Sequence, residues 1–584
     1  MLPARELEFL VFDWLDAGTL LTRARFSGHD LEQYQGVVDL ARRIAASHFA
    51  PFSAELDETE PWVVDGRAVT PAPLKQAIRA YCDGGFIAAA FDVENGGSQL
   101  PHLIASACQM VFASVDNPAM GYAFLTAAAA RLVSTFGDDA QRARYLPPML
   151  EGRWLGTMCL SEPQAGSSLS EVRTSARLAP DGRWLIRGEK MWISGGDHDL
   201  SDTIIHMVLA RVDGGPSGAG GLSLFIVPKH KLDEAGRVGP SNDVRLIGLN
   251  HKLGHRATTN CALRFGEDDD CEGVLLGRLH NGLPQMFQMM NEARVGVGAG
   301  AAVTAYAAYA YSAEYASQRR QGRAPNVPTG VASPIIEHPD VARMILRQKA
   351  FAEGGLALCL FGARLLDDAE SHPEADVRLR ASRLLDALTP IIKSWPAERG
   401  IESNSLAIQV LGGAGYVRDH PVERWFRDQR LNAIHEGTTG IQAIGLLRGS
   451  PSSTAEVGLG LVFTEIRRDG ETVSDPWGIA ATILKALDAI EALHQRLTEE
   501  PDRRVALAAA TPFLEIVGDL VVAWMWLLQA PAAARHDDVD YAAGKRAAAR
   551  YFHRHFVGLI PSRCDVFPTA EDGVGDAGPA ALLA

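Results

Sequence analysis

The sequence predicts an α+β chain laid out as helices, sheet, helices, and three observations predict it. Apolar residues recur at helical spacing up to about Gly156, as in the stripe Val37, Val38, Leu40, Ala41 and Ile44. Between about residues 158 and 285 the texture turns to alternating, strand-like runs separated by turn residues. Helical spacing then resumes at Gly282. Strands gathered in one block, rather than alternating with helices, mark α+β rather than a parallel α/β fold.

Taken in order, residues 1–30 read as an N-terminal extension, amphipathic around Leu7, Phe9, Leu10, Phe12 and Leu15. Residues 31–157 read as a helical domain. In it Phe86-Ile87-Ala88-Ala89-Ala90-Phe91 is expected to end a helical unit in the turn Glu94-Asn95-Gly96-Gly97, and an alanine-rich helix runs through Ala127 to Leu132. Residues 158–285 read as a β-domain. Its expected strands are 173–178, 184–187 after the hairpin signal Asp181-Gly182, 206–211, 222–227 and 260–265. Residues 286–450 read as a second helical bundle, with a three-proline loop around Gly322 to Pro334. Gly449-Ser450-Pro451-Ser452-Ser453 reads as a linker to an appended helical domain, 451–584. There, segments 477–493, 505–528 and 542–556 each carry enough apolar residues for a buried face and no catalytic cluster, so the domain is expected to pack on the core.

The chain has 584 residues, 47% of them hydrophobic, which is ample for several domains. Its 71 acidic and 56 basic residues leave a net charge of -15, which argues against a nucleic-acid surface. The cysteines (Cys82, Cys108, Cys159, Cys261, Cys271, Cys359, Cys564) include no C-x-x-C pair and read as reduced, packed thiols. The first residues carry early acids and no signal-peptide core. No uninterrupted apolar run is expected to span a membrane, since the best candidate, 513–528, is broken by Glu515 and Asp519. These features predict a cytoplasmic protein without membrane insertion.

Three segments carry candidate chemistry. Ile434-His435-Glu436-Gly437-Thr438-Thr439-Gly440-Ile441-Gln442 puts one carboxylate in an apolar, glycine-flanked stretch, expected to be buried from Ile434, Ile441 and Ala443-Ile444-Gly445-Leu446. Burial raises a carboxyl's pKa, which suits a base working near neutral pH; a structural cap or ion-pair partner is the alternative. Met158-Cys159-Leu160-Ser161-Glu162-Pro163-Gln164-Ala165-Gly166-Ser167-Ser168 is a small-residue turn whose hydroxyls can donate to a ligand carbonyl or cap a helix. Gly188-Glu189-Lys190-Met191-Trp192-Ile193-Ser194-Gly195-Gly196 places an aromatic beside a hydroxyl. Two further patterns are weaker. Gly296, Gly298, Gly300 and Ala301 mimic a G-x-G-x-x-A fingerprint, but residues 286–290 before them are spaced as a helix, so close helix packing explains them better. His251 and His255 have no third ligand, so no metal is expected.

In this order, and with the run Thr135-Phe136-Gly137-Asp138-Asp139 through Gln141, Tyr145 and Leu146, the three segments closely resemble the signatures of the acyl-CoA dehydrogenase family of flavoproteins, over roughly residues 80–450. The appended region resembles that of a larger bacterial subgroup which includes methylthio-acyl-CoA dehydrogenases. The resemblance implies FAD-dependent α,β-dehydrogenation of an acyl-CoA thioester to the 2-enoyl-CoA, with Glu436 as base and flavin N5 as hydride acceptor. It implies an enolate oxygen stabilised by the Glu436 backbone N–H and a flavin ribityl hydroxyl. FAD contacts fall on Leu160, Ser161, Ser167, Trp192, Ser194, Gln409, Gly412, Gly413, Thr438 and Gly440. Arg319 and Gln321 would reach the FAD pyrophosphate of a neighbouring subunit, although the family more often has Phe-Gly after this arginine. Ser167, Asn291, Arg294 and Gly437 would line the acyl-CoA, with Arg294 expected at the opening of a helix. Some relatives carry their base just before this arginine; Ala293 stands there, and Glu292 is one residue off phase. The partners implied are acyl-CoA, an electron-transfer flavoprotein and a second copy of the chain, as a dimer or dimer of dimers. An oxidase passing electrons to O₂ remains open. So does a DNA-associated flavoprotein, with Arg503, Arg504, Lys545, Arg546, Arg550 and Arg554 set among acids and apolar residues.

Overall fold

Aspartates cap two of the early helices. The chain opens with α1 (Ala4–Glu8) and α2 (Leu31–Ile44), followed by α3 (Ser53–Glu58), α4 (Ala72–Asp83), α5 (His102–Phe136) and α6 (Asp139–Leu150). Asp30 and Asp138 each accept from the backbone N–H three residues on, and Gln33 and Gln141 return the bond to the cap, closing two capping boxes. Pro118 lies inside α5, and the chain kinks at Asp116 (φ -148°, ψ 84°), whose carboxylate accepts from the Ala119 N–H. The computed structural model describes residues 1–325, 331–448 and 455–567. The predicted linker at 449–453 and the middle of the three-proline loop, 326–330, lie outside the described residues.

Strands follow: β1 (Trp62–Val64) and β2 (Arg67–Val69) form a small hairpin, then come β3 (Trp154–Cys159), β4 (Ser175–Leu178), β5 (Trp184–Ser194) and β6 (Thr203–Val212). After them run β7 (Leu222–Pro228), β8 (His230–Leu232), β9 (Val238–Ser241), β10 (Val244–Leu249), β11 (Asn260–Phe265) and β12 (Glu272–Leu275). The main sheet has the order β10-β11-β5-β12-β7-β6-β3, with β4 pairing β5 and β6. Asp181-Gly182 does turn β4 into β5, with Gly182 at φ +86°. β7 is buried along its whole length and β6 along most of it, so both read as continuous apolar runs. Their side chains join Cys159, Ile186, Ile193, Cys261 and Phe265 in the core of the sheet.

The second half is helical: α7 (Gly282–Gln318), α8 (Pro339–Ser371), α9 (Ala375–Leu411), α10 (Val422–Leu431) and α11 (Thr439–Arg448). The appended region supplies α12 (Ala455–Thr472), α13 (Ala480–Glu499), α14 (Arg503–Ala534), α15 (Val539–His555) and α16 (Ile560–Asp565). Two compact units result: Gly28–Gly296, and Val297–Ala584 together with Leu2–Ser27. Apart from the β1–β2 hairpin, which lies between α3 and α4, the strands fall in one block between helices, the predicted α+β order.

In the second unit the appended helices share a core with the bundle. A side chain at Gly354 of α8 would run into Val522, and one at Gly518 of α14 into Trp395 of α9. Asp519, fully buried, accepts from Trp395 Nε1 (2.9 Å) and Arg399 (2.7 Å). The N-terminal segment belongs here too. Arg23 donates to the Asp367 carbonyl and to Ser371 Oγ (both 2.9 Å), and Glu6 accepts from the Tyr541 hydroxyl (2.7 Å) and pairs with Lys545. Lys545 is therefore a core cation, whereas Arg503, Arg504, Arg546, Arg550 and Arg554 are exposed, with Arg504 paired to Asp502.

Four expectations need correcting. Residues 86–91 are turns, not helix: α4 stops at Gly84-Gly85 (Gly85 φ +77°), and the backbone of the next stretch bonds to Ser98, Gln99 and Leu100. Arg294 lies deep inside α7, because the helix already starts at Gly282. α5 and α14 are long and apolar enough to cross a membrane by length and composition; their apolar windows are 61% and 67% buried inside the protein, which accounts for that composition. Finally, Ile434 and Ile441 are exposed and Glu436 is half-buried. α11 buries Thr439, Gln442, Ala443 and Leu446, a single helical face, and turns Ile441 outward.

Candidate functional site

Within the first unit the site segments meet around β5. Opposite Ala262 of β11 the strand carries two residues, Met191 and Trp192, and so forms a β-bulge. Trp192 there has φ +65°, a conformation that costs a bulky side chain on the order of 1–3 kcal/mol, and the residue is 62% exposed. Ser194, two residues on, shares its face and lies 3.4 Å from Asn260 Nδ2. The Met191 N–H, freed by the bulge, donates to the Ser161 carbonyl (3.0 Å). That bond ties the bulge to the loop after β3.

The loop itself is a tight turn in which Glu162 and Ala165 exchange backbone hydrogen bonds (2.8 and 3.0 Å). Leu160 is buried, Ser161 half-buried and Ser167 exposed. Neither serine caps a helix; the short 3₁₀ turn after it starts at Ser168 with no side-chain cap. Beneath lies a pair that sequence reasoning did not single out. Lys190, fully buried, donates to Glu162 Oε1 and to the Leu160 carbonyl (both 2.9 Å). Burial alone would raise the Glu162 pKa, but Lys190, the Thr174 hydroxyl and the N–H groups of Arg173 and Thr174 hold it down at about 2. The signal was available: Lys190 occupies an inward register of β5, in phase with Ile186.

On the stretch of α7 in this unit, Arg294 Nη1 donates to Asn291 Oδ1 (2.9 Å), so these two residues form one polar step on the helix. Glu292 pairs with Arg131 (3.2 Å) and Ala293 is fully buried. A side chain at Gly296 would strike Phe124, the close packing expected of these glycines. His251 and His255 sit on the loop between β10 and β11, with His251 Nδ1 3.1 Å from Glu60.

In the second unit Glu436 has φ +56° and Gly437 φ +91°, a pair of left-handed residues between α10 and α11. The turn is pinned by Thr439 N–H to the Ala433 carbonyl (3.1 Å), Thr439 Oγ1 to Glu398, and Gln442 Nε2 to the Glu436 carbonyl (3.2 Å). Thr438 is exposed and Gly440 half-buried at the start of α11. Arg319 and Gln321 are exposed, yet their backbone is fixed: Ile335 N–H donates to the Arg319 carbonyl (2.8 Å) and Gln321 N–H to the Ser333 carbonyl (3.0 Å). Gln409 is exposed at the end of α9, and Gly412 (φ +61°) caps that helix. Nothing stands within 4 Å of the position a Cβ would take on Gly412 or Gly413, so both present bare backbone to open space.

In the first unit the exposed Trp192 and the hydroxyls and turn amides of the loop after β3 suit a flat aromatic ring with a polar edge; in the second, the bare backbone at Gly412 and Gly413 and the held Arg319 suit phosphate. Family models match in the order N-terminal domain (residues 32–153), middle domain (157–267) and C-terminal domain (280–450) of acyl-CoA dehydrogenase, then an acetyl-CoA dehydrogenase C-terminal-like region (464–575). A 3-methylmercaptopropionyl-CoA dehydrogenase of Ruegeria pomeroyi is 35% identical over 94% of this chain and 95% of its own. A broad-specificity linear acyl-CoA dehydrogenase of Mycobacterium tuberculosis is 31% identical over 99% of both. Among solved structures, an acyl-CoA dehydrogenase from Bacillus anthracis complexed with FAD shares the fold (TM-score 0.73, 19% identity, covering 95% of this chain and 91% of that one). The segments around Glu436, Ser161 and Trp192 thus stand in a chain that belongs, over nearly its whole length, to the acyl-CoA dehydrogenase family.

Proposed function

We propose that this chain oxidises an acyl-CoA thioester to its 2-enoyl-CoA with FAD, and that Glu436 is the base. The observation that carries the reading is backbone strain at the two key motif residues. Of the nine non-glycine residues with positive φ among the described residues, Trp192 and Glu436 (φ +65° and +56°) are the two that fall in the three motif segments, and strain at such positions is a device of functional sites. Glu436 takes the α-proton of the thioester, and its backbone N–H donates to the developing enolate oxygen. The β-hydrogen leaves with its electron pair as the C=C bond forms. FAD, when bound, supplies the acceptor for that pair. Trp192 stacks on the cofactor ring, with Leu160, Ser161, Ser167 and Ser194 at its polar edge. Gln409, Gly412, Gly413, Thr438 and Gly440 complete its contacts, and Arg319 and Gln321 reach the diphosphate held by a second copy. Asn291, Arg294, Ser167 and Gly437 line the CoA thioester. The half-burial of Glu436 suits a base that meets its substrate from solvent, and the Arg131 pair of Glu292 argues against that residue as the base.

The electron acceptor we propose is an electron-transfer flavoprotein. The domain division 1–30, 31–157, 158–285, 286–450 and 451–584 goes with this reading. The acyl group follows the relatives: short or linear chains, including a thioether. Anaerobic titration of the yellow enzyme with saturated acyl-CoAs tests this, using acetyl-free chains of graded length plus 3-methylmercaptopropionyl-CoA. Bleaching of the flavin by some members of this panel is expected. An FAD-loaded protein that none of them bleaches would refute the proposal.

A further inference from the structure

α11 begins two residues after the Glu436-Gly437 turn, and it packs on α9 and on α14 of the appended region. Its buried face is Thr439, Gln442, Ala443 and Leu446. Gln442 is the member of that face which reaches back to the turn. Its side-chain amide donates to the Glu436 carbonyl (3.2 Å), and a Cβ on Gly437 would lie 2.5 Å from the same nitrogen, so amide and turn fit closely. On the other side, a Cβ on Gly440 would lie 4.0 Å from Thr511 Oγ1 of α14, which is ordinary contact. A left-handed glutamate keeps its conformation only where neighbours over-determine it. Here those neighbours are the α11 face and, behind it, helices α9 and α14.

We propose that α14 is a positioning element for the base: it backs α11, and Gln442 carries that backing to Glu436. This rests on Glu436 being the base. The appended helices, which bear no catalytic cluster, thereby enter the reaction through geometry. Removing the Gln442 amide frees the Glu436 carbonyl to rotate about the Gly437 hinge, and the carboxylate loses its alignment with the α-proton. A misplacement of about 1 Å at a reacting group costs on the order of a hundredfold in rate.

The test uses full-length, FAD-loaded protein and the acyl-CoA that bleaches it fastest. Gln442→Met keeps the volume and removes the donor; Thr511→Leu adds bulk at the contact from the α14 side. Stopped-flow reduction is followed with ordinary and α-deuterated substrate, beside Glu436→Gln. Both variants should keep their flavin while the limiting reduction rate falls about tenfold to a hundredfold, with half-saturation changed by less than about twofold and a larger α-deuterium effect. Wild-type reduction rates in both, with Glu436→Gln inactive, would overturn the positioning role and leave the base in place. A slower rate with weakened half-saturation and an unchanged isotope effect would overturn it as well, because general disruption behaves that way. Active Glu436→Gln would remove the base reading and this proposal together. The two variants approach the contact from opposite sides, so loss of either to misfolding leaves the other decisive.

Discussion

Glu162 accepts five hydrogen bonds on two carboxylate oxygens: from the Thr174 N–H and hydroxyl, Lys190, the Arg173 N–H and Gln164. Burying an ion pair gains little by itself, but removing one partner strands the other. Glu162→Gln should therefore destabilise the first unit by about 3–5 kcal/mol and loosen the turn that carries Ser161. Its pKa, about 2 in the folded chain against an ordinary 4.5, sets the sign of the pH effect. The folded value is the lower, so the stabilisation is fully present above about pH 4.5 and drains away as pH falls toward 2. Burial pulls the Lys190 pKa below its usual value, with Glu162 opposing. Thermal melts between pH 2 and 6 should show a shallower acid limb in Glu162→Gln; equal limbs would discount the pair.

At the scale of elements, the strongest signals were periodic. The strands β6, β7 and β11 and the hairpin at Asp181-Gly182 were legible because alternation and turn residues act locally. The helix misread at residues 86–91 failed for the converse reason: its apolar residues are buried by long-range packing, with their backbone bonds going to 98–100. The bulge at Met191-Trp192 was invisible, since it exists only in register with Ala262 across the sheet. The site motifs themselves were legible through their residues and order, whereas the left-handed backbone at Trp192 and Glu436 was not. Nor could the sequence place the N-terminal element. Glu6 enters a buried cluster with Lys545, Glu353, Lys349 and Tyr541, linking the first turn of the chain to α8 and α15. Glu6→Ala leaves that cluster with an excess positive charge out of water. It should lower the melting temperature of the second unit's transition, at a cost of about 3–5 kcal/mol, and deleting residues 2–27 should lower it further. Calorimetry in which neither change moves the transition would show that the N-terminal segment merely lies on the surface.

Along the whole chain, the first unit carries the strained bulge at Trp192, and the second carries the strained turn at Glu436 and an appended helical region that shares the bundle's core. Arg319 is exposed on a backbone held at both sides. If, as proposed, one cofactor spans two chains, Arg319→Ala should weaken FAD retention and shift the assembly toward smaller species in light scattering. Tight FAD in a strictly monomeric wild type would contradict that arrangement. The central claim, however, is the identity of the base. Anaerobic mixing of acyl-CoA with FAD-loaded Glu436→Gln and Glu292→Gln separates the candidates in one experiment. Glu436→Gln should stay yellow, bind acyl-CoA and fail to bleach, with reduction slowed by at least about 10²–10⁴-fold, while Glu292→Gln bleaches. Rapid bleaching of Glu436→Gln, or its loss in Glu292→Gln instead, would contradict the account.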